Sequence, residues 1–422
     1  MSHKPSLRIL ILGLNYAPEP TGIAPYTASL AKGLVQRGHS VIVKTTHPHY
    51  PEWRIREGYG RWSQRETIAG VRVQRLLHYV PRRQSNLARV ASELSFGLRT
   101  VFSRWGRPDV VLLVSPALFS SSLASMRLRL LARRVPFAVW VQDLYGLGVT
   151  ETGTGGGRAA RVITGVESAL LRSASGVAVI HDRFAAHVVD NLGVDSDRAR
   201  VVRNWTHLEE LDLPPREQTR QTYGWADDET IALHAGNMGV KQGLENLVAA
   251  ARVADERGDN VRFVLLGKGN QRELIQASAR GIRNIQFIDP LPDLEYQATM
   301  AAADVLIVNE KPGVAEMAVP SKLTSYFSTG LPIVVATDEG SVTAGEIESS
   351  GGGVRVDAGD PLALLDAARA LGEDGERARE LGARGTAFRQ NVLSEDAAIS
   401  AFAGWLSGLV ADGPTRVAPS EA

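Results

Sequence analysis

The sequence predicts an α/β protein made of two doubly wound parallel sheets, and three observations predict it. Short apolar runs alternate with longer helical patterns along the whole chain, the pattern of parallel strands covered by helices on both faces. The alternation stops at a charged stretch containing Pro214-Pro215 and then begins again. At 422 residues the chain also exceeds what one hydrophobic core ordinarily serves.

In the first half, Arg8–Leu14 reads as a strand and Tyr26–Gly38 as an amphipathic helix. Strands at Val41–Thr45, Val71–Arg75, Val110–Leu113, Phe137–Val141 and Gly176–Ile180 follow, and Val201-Val202 leads into the Arg203-Asn204-Trp205 turn. Leu208 to Arg220 reads as a linker. Beyond it come Thr230–Ala235, a helix from Gly243 to Arg257, Val261–Leu266, and a helix from Gln271 to Arg280. Later strands fall at Ile285–Ile288, Val305–Val308, Ile333–Ala336 and Gly353–Val356. Asp360-Pro361 starts a long helix, since Asp suits the N-cap and Pro the first helical turn. The expected domains are 1–205 and 206–394, with a closing helix (395–412) returning to the first domain and a disordered tail (413–422).

Composition narrows the function. The chain has 44% apolar and 22% charged residues, as globular proteins do, and no cysteine, which excludes disulfides, thiolate nucleophiles and Cys-ligated metals. Leu7 to Leu12 is too short for a signal peptide and contains Arg8, and runs such as Val110 to Val114 fall far short of the ~20 residues of a membrane span. A cytoplasmic protein is expected. The net charge of +1 hides a polarity: residues 1–205 hold 28 basic side chains against 13 acidic, and 206–422 hold 19 against 33. Between Arg72 and Arg134, 12 arginines face only Glu93 and Asp109. These arginines are interleaved with apolar residues and no nucleic-acid motif accompanies them. An anionic membrane surface, touched peripherally on its inner face, therefore fits better than nucleic acid, with Trp105, Leu77 and Phe102 as candidate insertions.

Residues 310 to 334 are the most informative stretch. They read as a loop, a helix opening at Pro320-Ser321 and stopping at Gly330, and the strand that follows. A helix start offers unpaired N–H groups and partial positive charge to a phosphate, and Glu316, Ser321, Lys322, Leu323 and Ser325 lie around it. The same pattern also suits an ordinary capped helix. Two further openings follow strand ends in this domain: Gly236-Asn237-Met238-Gly239-Val240-Lys241, and Gly267-Lys268-Gly269. In these, glycines clear space and Lys241 can reach a phosphate as a point charge.

In the first domain, Gly22 is either a plain turn glycine or a close approach to a ligand. Asp143, at a strand's carboxyl end, is either a cleft carboxylate or a cap. Asp195-Ser196-Asp197 reads as a surface turn, and His47 and His49 lack partners at metal-ligand spacing, so no metal site is expected. The absence of GxGxxG after the first strand counts against a nicotinamide or flavin cofactor.

The segments NYAPEPTGIAPYTASLAKGLVQRGHSV, VQDLY, VVRNW, HAGNMGVKQGLENL, LLGKGN and VPSKLTSYFSTGLPIV carry a resemblance across nearly the whole chain. It is to the retaining family 4 glycosyltransferases of GT-B fold, in which two Rossmann-like domains face across a cleft. More narrowly, the chain resembles bacterial fucosyl- and N-acetylfucosaminyltransferases of the colanic acid and O-antigen type. The resemblance implies a nucleoside-diphosphate sugar as donor substrate, held by the second domain without metal or other cofactor. A glycan or polyprenyl-diphosphate-linked acceptor would meet the first domain. It matches Gly22 to the flexible loop near the diphosphate and Lys241 to the diphosphate-binding cation. Glu316 would hold sugar hydroxyls, Ser325 a ribose hydroxyl, and Asp143 would orient a sugar. The chain departs from the family pattern in having Asn237 and Met238 where an arginine is usual, and Ser325 in place of a second glutamate. A sugar-nucleotide epimerase on the same fold, a transferase acting on a small soluble acceptor, and a non-catalytic binding member are the alternatives.

Overall fold

The computed structural model describes residues 6–20, 22–82, 85–132, 134–146, 158–205, 211–313 and 321–413. Contacts divide the chain into two compact units, one formed by 1–204 with 395–422 and the other by 205–394.

The first unit carries an eight-stranded sheet. Its strands are β1 (Arg8–Leu12), β2 (Ser40–Thr46), β3 (Ser63–Ile68), β4 (Val71–Leu76), β5 (Val110–Val114), β6 (Phe137–Val141), β7 (Gly176–Val179) and β8 (Ala199–Val201). The order across the sheet is β3-β4-β2-β1-β5-β6-β7-β8, parallel throughout except β3. Leu10 of β1 pairs with Ile42 on one side and Val111 on the other. The chain therefore reverses its direction of travel across the sheet between β1 and β5, the place where open α/β sheets bind ligands beyond their carboxyl ends. All five β5 residues are buried, because helices cover both faces.

Sequence reading misses β3. Its residues SQRETI are polar and alternate between exposed and half-buried, so no apolar run announces them. It is an edge strand, joined to β4 through Ala69-Gly70, both at positive φ as a tight hairpin requires. The closing helix, Glu395–Asp412, packs on this unit. Gly33 of the Ala24–Gln36 helix makes room for it, since a Cβ there would lie 2.3 Å from Ile399 Cδ1. Phe402 meets Trp140 of β6 edge-on, with ring centroids 4.9 Å apart.

The second unit carries a six-stranded, wholly parallel sheet in the order β11-β10-β9-β12-β13-β14. The strands are β9 (Thr230–Ala235), β10 (Val261–Leu266), β11 (Ile285–Ile288), β12 (Val305–Asn309), β13 (Ile333–Ala336) and β14 (Gly353–Val356). Side chains alternate between two buried cores: Ala232, Phe263, Leu265 and Ile307 face one, Leu233, Val264, Leu306 and Val335 the other. Asp360 caps the Pro361–Glu373 helix by accepting from the N–H groups of Leu362 (3.0 Å) and Ala363 (2.9 Å).

Two expectations need correction here. The expected linker ends inside a helix, Arg216–Tyr223, whose Arg220 is buried. Its guanidinium donates to Ala302 O (3.1 Å), Glu229 O (2.7 Å), Ala226 O and Asp304 (3.1 Å), so charge in this stretch is structural. The helix opening at Ser321 ends at Tyr326, not at Gly330. Ser328 and Thr329 hydroxyls bond back to Ser325 O (2.6 Å) and Tyr326 O (2.8 Å), competing with the helical ladder before Gly330 turns at φ +71°. The expected tail lies outside the described residues beyond Gly413.

Candidate functional site

The second unit's sheet changes direction between β9 and β12, and the loops leaving these strands are tied together. Lys311 N–H donates to Lys241 O at 2.8 Å. Asn309 Nδ2 donates to Gln242 O (2.8 Å) and Gly243 O (3.0 Å), and Asn309 Oδ1 accepts from Asn246 Nδ2 (2.9 Å). This clasp holds the Lys241 and Lys311 backbones together, and both side chains are exposed. Lys268, beyond β10, is exposed as well, and its carbonyl accepts from Met238 N–H at 2.9 Å.

A fourth lysine is built in more deeply. Lys322 Nζ lies 3.2 Å from Nε2 of His234, a fully buried β9 residue. Burial first, and the ammonium second, hold the His234 pKa well below its ordinary 6.5, so the ring is neutral. Nδ1–H then donates to Ile307 O (3.2 Å), and Nε2 accepts from Lys322. Gly236 is required by this arrangement: its φ is +135°, and a Cβ there would come within 2.8 Å of Lys322 Cε. Glu310, 2% exposed at the end of β12, accepts from the hydroxyls of Thr337 and Thr343, and burial raises its pKa.

The glycines therefore do something different from clearing space for a ligand. A Cβ on Gly267 would lie 2.1 Å from Gly236 O, and one on Gly269 2.2 Å from Met238 O. They let the β9 and β10 loops stack. The amides of Gly236, Met238, Gly239 and Gly267 already donate to Leu266 O, Lys268 O, Gln242 Oε1 and Ile288 O. Cationic side chains are thus among the groups this edge offers to an anion. Asn237 is exposed beside them, Ser325 is half-buried, and the Leu323 side chain belongs to the core. Ser321 opens its helix, and Glu316 lies outside the described residues. Lys268, Lys311, His234 and Glu310 are the members that sequence reading did not select. Their signal was position, immediately before or after a strand's carboxyl end.

In the first unit Asp143 is exposed just past β6. Its Oδ1 accepts from Leu144 N–H (2.9 Å), and its carbonyl accepts from Ser115 Oγ (3.0 Å). The turn after it is gripped by two buried carboxylates. Glu167 accepts from the N–H groups of Tyr145 (2.8 Å) and Gly146 (3.0 Å), and Glu93 from the Tyr145 hydroxyl and Phe119 N–H (3.0 Å). Both are pushed up to a pKa of about 7, mainly by burial. Gly22 turns at φ +66°. Asp195–Asp197 is an exposed turn, and among the described residues no group of three or more His, Asp or Glu could hold a metal ion.

Two family models match the chain: a glycosyl transferase 4-like domain over residues 21–205 and glycosyl transferases group 1 over 229–374. The chain is also 31% identical over 350 residues to the Escherichia coli protein named putative colanic acid biosynthesis glycosyl transferase WcaI. That match covers 79% of this chain and 84% of that protein. The chain belongs to this glycosyltransferase family. The transferase is likewise 26% identical over 286 residues to the probable glycosyltransferase WbjE of Pseudomonas aeruginosa, covering 66% and 69% of the two chains. Among solved structures it resembles Anabaena HepE, determined in complex with UDP-glucose, with a TM-score of 0.66 and 17% identity over 96% of this chain and 100% of that one. The fold of the transferase is GT-B.

Proposed function

We propose that the enzyme transfers a sugar from a nucleoside diphosphate, with retention of anomeric configuration, to a glycan or polyprenyl-diphosphate-linked acceptor during synthesis of a colanic acid-type or O-antigen-type polysaccharide. The observation that carries this reading is the set of lysines at the carboxyl edge of the second unit's sheet: Lys241 clasped to Lys311, Lys268 beside them, and Lys322 set by His234. As the anomeric bond breaks, negative charge gathers on the departing diphosphate, and preorganised cations stabilise it without a metal. A diphosphate oxygen takes the acceptor's proton on the same face, so no protein nucleophile is needed. Glu316 and Ser325 would hold sugar and ribose hydroxyls, and Asp143 would orient a sugar. The WcaI and WbjE names and the UDP-glucose bound by HepE support the substrate classes.

A thermal-shift panel of nucleoside diphosphates and their sugars tests this, because a ligand that binds only the native state raises its stability. Selective stabilisation by one nucleotide family supports the reading, and no response to any member refutes it. Recovery of labelled donor as an isomer, with no transferred sugar, would establish the epimerase alternative.

A membrane acceptor is favoured by the outer face of the Asn86–Val101 helix. Its inner face buries Phe96 together with Ser92, Glu93 and Thr100, whereas Leu87, Ala91, Leu94, Leu98 and the cap residue Phe102 form an exposed stripe at helical spacing. Phe102 is 84% exposed and Leu87 83%. Exposed Arg82, Arg89, Arg104 and Arg107 flank the stripe in sequence, which suits an anionic bilayer, each adding about 1 kcal/mol near the surface. Trp105 and Leu77 do not take part as expected. Trp105 is buried, donating to Thr100 O (2.8 Å) under the Arg127 guanidinium, and Leu77 is half-buried. Arg75 is buried too, against Glu66 and Thr46 O. Among the described residues no helix is long and apolar enough to cross a membrane. Sedimentation with anionic and zwitterionic vesicles should show anionic-selective binding that weakens with salt and with Leu98→Ser/Phe102→Ser. Equal, negligible binding to both lipids would leave a small soluble acceptor as the better reading.

A further inference from the structure

Three loops at the carboxyl edge of β1, β2 and β4 bring Glu19, His49 and His78 together inside the first unit. Glu19 is 3% exposed and fully engaged. It accepts from the N–H groups of His49 (2.8 Å) and Tyr50 (2.9 Å) and from Asn15 Nδ2 (2.9 Å). These bonds fix the start of the loop after β2. His49 Nδ1 lies 2.9 Å from His47 O and 3.5 Å from Glu19 Oε1, both of which can only accept, so Nδ1 carries the proton. Nε2 has no partner among the described residues. His47, by contrast, is spent on the loop itself: Nε2–H donates to Arg61 O (2.8 Å) and Nδ1 accepts from Gly60 N–H (3.3 Å).

His78 differs from both. It is 7% exposed, and among the described residues neither ring nitrogen has a hydrogen-bond partner. Its ring meets those of His49 at 4.8 Å and Phe96 at 6.3 Å between centroids. Burial keeps its pKa well below 6.5, so the ring is neutral and has one donor and one acceptor to satisfy. Proteins seldom leave such a pair buried and unmet unless something outside the chain meets it. Trp53 stands beside the pair, its ring 6.0 Å from His49 and 6.1 Å from Tyr50, with the Arg89 guanidinium 5.5 Å from its centroid over one face, leaving the other for a ligand. It has φ +52°, a strained conformation for a bulky residue, and strain of this kind collects at ligand sites.

We infer that Trp53, His49 and His78 form the recognition site for a sugar ring of the acceptor. The site rests on the glycosyltransferase reading and gives it specificity residues. A pyranose offers an apolar C–H face for the indole and hydroxyls that both donate and accept, which is what one oriented and one unpartnered imidazole require. No metal role competes, since no group of ligands able to hold an ion occurs among the described residues. The position agrees as well, beyond the carboxyl ends of parallel strands.

The test uses the full chain with ¹⁵N-labelled histidine and a panel of p-nitrophenyl glycosides. At least one glycoside should shift the ring nitrogens of His49 and His78. Its Kd should weaken about 10-fold in Trp53→Ala and in His78→Phe, a loss on the scale of one hydrogen bond or stacking contact, and recover in Trp53→Phe. Nucleoside diphosphate binding by the second unit, measured on the same samples, should be unchanged in all three variants, and wild-type amide hydrogen exchange of β1, β2 and β4 shows that the first unit folds. If no glycoside moves either ring while nucleotide binding persists, or if the two weakening variants bind as the wild type does, the two histidines are a water-filled structural pair and the site is overturned. Loss of both glycoside and nucleotide binding in the wild-type chain would instead overturn the transferase reading beneath it.

Discussion

Replacing Glu93 with Gln should remove part of the pH dependence of the first unit's stability. Glu93 and Glu167 are each 4% exposed and have pKa values of about 7, against an ordinary 4.5. A raised carboxyl pKa means that the folded state binds protons more tightly than the unfolded chain. Stability from each carboxyl is complete below about pH 4.5 and is lost as pH rises through about 7. A shift of this size corresponds to about 3 kcal/mol per group at most. Gln keeps an oxygen for Phe119 N–H and can donate its amide N–H to the Tyr145 hydroxyl oxygen, but it cannot ionise. Glu93→Gln should therefore match the wild type near pH 5 and exceed it by about 1–3 kcal/mol at pH 8. Hydrogen exchange of residues 137–146, corrected for intrinsic rates and followed from pH 5 to 8, reads the opening free energy of this segment alone. An unchanged pH slope in Glu93→Gln would falsify the argument, because no other substitution of this kind isolates the charge so cleanly. Asp143 adds to the effect on Glu167, so Asp143→Asn should flatten the slope slightly while leaving Glu93 unaffected.

Three further outcomes follow from the second unit. Lys241→Ala should fold normally and lower turnover by about 10²–10³, measured as release of nucleoside diphosphate in the presence of acceptor, since one transition-state charge stabiliser is lost. Activity should survive exhaustive chelation; loss with EDTA and recovery with magnesium or manganese would show that a carboxylate set was misjudged. Gly267→Ala should destabilise the second unit by about 3 kcal/mol in urea unfolding, since its Cβ would meet Gly236 O at 2.1 Å with φ at +135°.

The parallel strands were legible because burial on both faces demands continuous apolar runs. Val110–Val114 and Ile333–Ala336 could hardly be anything else in a chain of this alternation. What escaped was held by partners distant in sequence. β3 is polar because it is an edge strand and shows only half its surface to the protein. Arg220 looked like linker charge because two of its four acceptors, Ala302 O and Asp304, lie some eighty residues away and the nearer two are backbone carbonyls. The Asn86–Val101 helix, which the sequence reading did not pick out, buries Ser92, Glu93 and Thr100 beside Phe96 and leaves Leu87, Leu94 and Leu98 exposed. Glu93 is satisfied by Tyr145 and Phe119, partners that apolar periodicity cannot reveal.

The site shows the same division between position and role. Gly236, Gly267 and Gly269 stood out in the sequence as strand-end glycines suited to a phosphate, and they do lie at the edge where the sheet changes direction. Yet the space they clear is filled by protein: by Lys322 at Gly236, and by the neighbouring loop at the other two. Their contribution is to bring two loops close enough for Lys241, Lys268 and Lys311 to share one edge. The charge that a diphosphate would meet is therefore placed by glycine packing and by the neutral His234, neither of which needs to touch it. Because His234 stays neutral through burial, its Nε2 is free to accept from the Lys322 ammonium and does not repel it. A His234→Leu variant separates these contributions. It leaves every glycine and exposed lysine in place, and should weaken nucleoside diphosphate binding only by as much as a loosened Lys322 costs, about 10-fold. Binding as tight as the wild type's would mean that Lys322 does not need His234 to hold its position.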